Sequence, residues 1–173
     1  MTYLFRDLKS NEIDVRPAMI NDKGISLLLY KDARVDQDIL DETVGPYNWQ
    51  RKHIRDNANC IVELWDDIKK QWVSKEDTGT ESNTEKEKGL ASDSFKRACF
   101  NWGIGRELYT SPFIWIPKEK TNIAFKEYNG KKIYNTTDKF RVEAIEIVNK
   151  VIVGLTIINQ KKERVFIYKA VSK

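Results

Sequence analysis

The sequence predicts an α+β fold: an antiparallel β-meander packed by a long amphipathic helix, with additional strands toward the C-terminus. Three observations predict it. Short runs rich in β-branched and aromatic residues are separated by turn signals such as Asn21-Asp22-Lys23-Gly24 and Asn129-Gly130. Ala91, Phe95, Ala98, Cys99 and Trp102 recur at i, i+4, i+7, i+8 and i+11, one apolar stripe of the kind that packs on a sheet. From Ile123 onward the pattern returns to strands.

Taken in order, Val15–Ile20 and Ile25–Tyr30 flank the first turn signal and read as a β-hairpin. Arg34 to Val44 carries Val35, Ile39, Leu40 and Val44 near helical spacing and stops at Gly45-Pro46, which predicts a helix of about three turns. Tyr47–Arg55, Ala58–Asp66 and Gln71–Gly79 are rich in β-formers and separated by polar breaks, the pattern of a three-stranded meander. A polar stretch leads to Thr84-x-x-Glu87, a capping box in which hydroxyl and carboxylate satisfy first-turn amides of the long helix. Gly103 and Gly105 loosen the end of that helix, and Pro112 and Pro117 forbid its continuation. Ile123–Tyr128 and Lys132–Tyr134 form a hairpin about Asn129-Gly130, and Phe140–Val148, Val151–Ile158 and Arg164–Tyr168 form a second set of strands.

A chain of 173 residues and 20.3 kDa fits one domain, 1–173, divided here into a core over 15–116 and a β-rich extension over 117–173. With 40% apolar residues and 5 Trp, 7 Tyr and 7 Phe, there is enough apolar material for a core, which argues against wholesale disorder. No run long and apolar enough for a membrane span is present, and Arg6, Asp7 and Lys9 stand where a signal peptide needs an apolar stretch; the expectation is a soluble, cytoplasmic protein without a membrane partner. Cys60 and Cys99 with the single His53 assemble no zinc-ligand spacing, so no metal and no histidine-rich catalytic centre is expected. Charge is divided along the chain. Through residue 95 there are 14 Lys and Arg against 19 Asp and Glu, and from residue 96 onward 16 against 7. Such asymmetry suits a surface for a polyanion or unlike surfaces on neighbouring subunits, unless the fold mixes the two halves.

No catalytic constellation stands out, and the expectation is a protein that is not an enzyme and needs no cofactor. His53 reads as a partly exposed strand histidine and Cys99 as a small core residue. Asp36, Asp38, Asp41 and Glu42 read as a solvated acidic face of the first helix, since Asp36 and Asp38 point different ways. Gly103-Ile104-Gly105-Arg106 follows a helix, whereas a phosphate-cradling loop precedes one, so these glycines serve to close the helix. Arg106, just beyond that end, is placed to cap helix carbonyls or to meet a ligand. Opposite the apolar stripe lie Lys96, Arg97 and Phe100. An aromatic bracketed by two cations is what single-strand binding requires, the cations neutralising phosphate and the ring stacking on a base; the alternative is a ring packed against another element.

The run Ala91-Ser92-Asp93-Ser94-Phe95-Lys96-Arg97-Ala98-Cys99-Phe100-Asn101-Trp102-Gly103, followed by Ile104-Gly105-Arg106-Glu107-Leu108-Tyr109, resembles the hallmark helix of the Rad-fifty-two (Rad-twenty-two) family of single-strand annealing proteins. Upstream, Tyr30-Lys31-Asp32-Ala33-Arg34-Val35 and Gly45-Pro46-Tyr47-Asn48-Trp49 resemble that family's strand end, Arg-led helix and entry into the meander. Together the matches span Ile25 to Tyr109, in the family's order, and are closest to the short phage or prophage type. The resemblance implies single-stranded DNA binding and ATP-independent annealing in recombination or repair, by a homo-oligomeric ring or filament in the bacterial host cell. It implies that Arg34 contacts the DNA backbone and that Lys96 and Arg97 line the groove or support a subunit contact. Lys31 and Arg106 join this DNA-binding set by proximity, and Phe100 by its place on the helix. Residues after Ile116 match no pattern of the family. The alternative is a structural or protein-interaction module on the same fold without DNA binding.

Overall fold

The computed structural model describes residues 4–80 and 86–170. The chain forms two compact units, one comprising the N-terminal segment up to Asp7 with Asp32–Arg106, the other Leu8–Lys31 with Glu107 onward. The class is α+β, and every strand pairing is antiparallel.

In the first unit, α1 spans Ala33–Val44. Its N-cap Asp32 accepts the Arg34 amide at 2.8 Å, and the Gly45 amide closes the far end on the Asp41 carbonyl. Ile39, Leu40 and Val44 are its buried apolar residues. Asp36 is buried beside them, which corrects the reading of Asp36 as part of a solvated acidic face. The remaining acids are dispersed: Asp38 is exposed, Asp41 accepts the Trp49 indole N–H at 2.6 Å, and Glu42 accepts Arg6 at 2.6 Å.

The predicted meander is present as β3 (Trp49–Ile54), β4 (Asn59–Asp66) and β5 (Gln71–Thr78). Strand alternation sends Trp49, Arg51 and His53 of β3 to the same face as their partners Leu64, Val62 and Cys60 of β4. Helix α2 (Lys86–Asn101) packs on β4 and β5, where Phe95, Ala98 and Cys99 meet no solvent. Cys99 is a core residue, as its place on the stripe suggested. Each large apolar side chain removed from water here contributes about 1.5–3 kcal/mol. Between β5 and α2 the backbone passes so close at Gly79 that a Cβ would stand 2.5 Å from the Ser94 amide nitrogen. Only glycine fits there. The proposed capping box at Thr84 lies outside the described residues.

The second unit is built on a six-stranded sheet in the order β11-β10-β9-β1-β2-β6. Its strands are β1 (Asp14–Ile20), β2 (Gly24–Tyr30), β6 (Ile114–Pro117), β9 (Phe140–Val148), β10 (Val151–Asn159) and β11 (Arg164–Lys169). The outermost strands, β6 and β11, approach each other, so the sheet is nearly closed around Ile25, Leu27, Ile114, Ile116, Leu155 and Ile157. β7 (Ala124–Tyr128) and β8 (Lys131–Asn135) form a separate two-stranded hairpin. The sequence reading contained no strand at β6, because flanking prolines masked the apolar run. The run nevertheless pairs with β2 from Gly24↔Pro117 to Leu27↔Ile114. Sheet order also joins hairpin β1–β2 to the C-terminal strands, so a division at 116/117 does not follow the sheets.

Candidate nucleic-acid interface

Within the first unit an open cleft of about 500 Å³ lies where α1, β3 and α2 converge. The start of α1 supplies Asp32, Arg34 and Gln37, β3 supplies Arg51 and His53, and the small residues Ala91 and Ser92 of α2 leave room between them.

Arg34 is largely exposed, and its fork grips Asp32 with Nε 2.9 Å from Oδ1 and Nη2 3.1 Å from Oδ2. That fork, together with the Arg34 amide, pulls the Asp32 carboxyl down to about 2. The charge of Lys96 acts in the same direction, which sets Lys96 within electrostatic reach of the cleft mouth. Arg51 is exposed and lies over the Phe95 ring, 4.6 Å from its centroid. A planar guanidinium seated on a buried ring keeps its donors directed outward, in the geometry that suits a phosphate. His53 is half-buried with Nδ1 3.4 Å from the Ser94 hydroxyl oxygen. Burial first, and the Arg51 charge second, push its pKa below the ordinary value of 6.5.

The six residues singled out from the sequence separate in the structure. Arg34 lines the cleft and Lys96 stands near it. Arg97, the next residue, turns to the sheet, with Nε 3.4 Å from the Asp77 carboxylate. Phe100 is half-buried, so its ring is only partly presented to solvent. Arg106 donates to the carbonyls of Phe100 at 2.6 Å and Asn101 at 3.0 Å, so it caps α2. Lys75 adds a third donor to that end, reaching the Asn101 carbonyl at 2.6 Å, and Gly103 turns the chain away with φ +96°. Lys31 is buried, at 4% exposure, which corrects its assignment to a phosphate-contacting surface. An ammonium so enclosed cannot meet a polymer's backbone.

Sequence reasoning missed Arg51, whereas His53, read as a partly exposed strand histidine, is half-buried on β3. The available signal was the two-residue spacing of Trp49, Arg51 and His53, which puts all three on one strand face. Among the described residues, no group of three or more His, Cys, Asp or Glu side chains is placed to hold a metal ion. Among them, too, no helix is long and apolar enough to cross a membrane. No family model, curated protein or solved structure matches the chain.

Cations that line one open cleft attract a phosphodiester backbone without reading its sequence. The Ser94 hydroxyl beside His53 also lies 3.0 Å from the Asn57 carbonyl and 3.2 Å from that of Ala91.

Proposed function

We propose that the chain binds single-stranded DNA through the Arg34–Arg51 cleft and anneals complementary strands without ATP, acting as a homo-oligomer in phage-type recombination or repair within the host cell. The meander and α2 then constitute a Rad-fifty-two-like core. The observation that carries the reading is the pair of exposed guanidinium groups, Arg34 from α1 and Arg51 from β3, lining one cleft within the segment that bears the resemblance. Backbone phosphates held there leave base edges free, and pairing with a second strand supplies the sequence specificity.

A second reading, a protein-interaction module, is favoured by one specific observation: the Arg34 charge is already answered by Asp32. The two readings part on a single experiment. Fluorescence anisotropy with a labelled oligo(dT), duplex competitor and the variants Arg34→Ala and Arg51→Ala tests binding, and annealing of complementary oligonucleotides without nucleotide tests activity. Salt-sensitive, single-strand-preferring binding that both variants weaken supports the annealing reading. A folded wild-type protein that binds no oligonucleotide at low salt overturns it in favour of the interaction module.

A further inference from the structure

Among the described residues hairpin β7–β8 pairs with no other strand, and all five residues of β7 are exposed. Its two faces differ in charge. Register sets Phe125 opposite Tyr134 and Glu127 opposite Lys132 on one face, where Lys132 lies over the Phe125 ring at 4.7 Å and Asp22, Glu119 and Lys118 line the adjoining cleft. That face carries its own anions. The other face sets Lys126 opposite Ile133 and Tyr128 opposite Lys131. It bears two ammonium groups and no carboxylate, with Tyr128 68% and Ile133 54% exposed. Neither Lys126 nor Lys131 has a hydrogen-bond or ion-pair partner among the described residues.

We infer that this second face of the hairpin is a contact for single-stranded nucleic acid, Lys126 and Lys131 meeting phosphates and Tyr128 stacking on an unpaired base. An exposed ring between unpaired cations is complementary to a strand whose bases are not paired with one another, and a rigid duplex offers no such base. Edge lysines that only block aggregation require no aromatic ring between them. The inference deepens the proposed function and rests on it, since both take single-stranded DNA as the ligand, and it adds a site outside the segment of resemblance.

The test uses the full chain, oligo(dT) carrying 4-thiothymidine for photo-crosslinking, and a salt series for Lys126→Ala/Lys131→Ala, Tyr128→Ala and Tyr128→Phe. Loss of two phosphate contacts makes the log–log salt slope shallower by about 1.4. Loss of one stacked base weakens binding about 5- to 150-fold in Tyr128→Ala, while Tyr128→Phe retains the ring and the affinity. The crosslink maps to Tyr128. Hairpin variants that bind like wild type, with crosslinks confined to residues 34–53, overturn the inference and leave the cleft reading intact. A wild-type protein that binds no oligonucleotide overturns both, and Tyr128-dependent binding of poly-glutamate in that case identifies the hairpin as a site for acidic peptides.

Discussion

The Arg51 guanidinium lies 4.6 Å from the centroid of the Phe95 ring, so the cation that lines the cleft rests on a fully buried residue of α2. The Trp49 ring stacks near the same phenyl, with centroids 6.1 Å apart. Core packing and cleft geometry therefore share one side chain. Phe95→Ala is expected to cost about 3–5 kcal/mol by opening a cavity. Arg51→Ala removes only an exposed cation–π contact, worth about 0.5–1 kcal/mol. Urea denaturation of the two variants checks the contrast, and equal losses would mean that Arg51 is structural.

The Asp32–Arg34 pair restrains the cleft. Asp32→Asn keeps an acceptor at the helix cap but releases the Arg34 fork, so oligo(dT) affinity is expected to rise several-fold and the salt slope to steepen by about 0.7. Because the carboxyl is held at about 2 against an ordinary 3.8, the pair's stabilising effect is present above pH 3.8 and is lost as pH falls toward 2. Both groups are substantially exposed, so solvent screening keeps that effect small. Anisotropy titrations of wild type and variant measure the change in affinity.

His53 is the only histidine, which makes its imidazole protons a clean probe by NMR. With a folded-state pKa below 6.5, protonation favours the unfolded chain, and the His53 contribution to stability falls as pH drops below about 6.5. A phosphate in the cleft stabilises the imidazolium, so the titration midpoint is expected to move upward when oligo(dT) is added. A midpoint that oligo(dT) leaves unchanged would place the backbone elsewhere.

Legibility in the sequence followed the range of the interactions. The hairpin β1–β2, helix α1 and the meander appear where turn residues and apolar periodicity put them, because those signals act over a few neighbouring residues. Strand β6 was hidden because its pairing with β2 is remote in sequence and prolines flank it. The cleft was half legible: Arg34 stood out beside a cap, whereas Arg51 joins it only when β3 is brought beside α1. Lys31 and Asp36 show the opposite failure. Charge suggested solvent, and tertiary packing buried both.

In the second unit, Asp138 organises the chain ahead of β9. Burial raises the pKa of its carboxyl, but donation from the Asn122 amide at 2.7 Å, the Asn122 side chain at 3.0 Å, Gln160 at 2.8 Å and Thr121 at 2.9 Å outweighs that and brings it to about 2. The resulting stability, on the order of 2 kcal/mol, is present above pH 3.8 and disappears as pH falls through about 2. Asp138→Ala, which strands four donors, is expected to lower stability by more than that at neutral pH and to flatten the acid limb. Thermal melts of wild type and variant between pH 2 and 7 test both expectations.

The central claim is that Arg34 and Arg51 together hold the backbone of a single strand. Its most direct measurement is the slope of log K against log salt for oligo(dT), in wild type and in Arg34→Ala/Arg51→Ala shown by circular dichroism to be folded. Two lost phosphate contacts predict weaker binding and a slope shallower by about 1.4. An unchanged slope and affinity in the folded double variant would contradict the account.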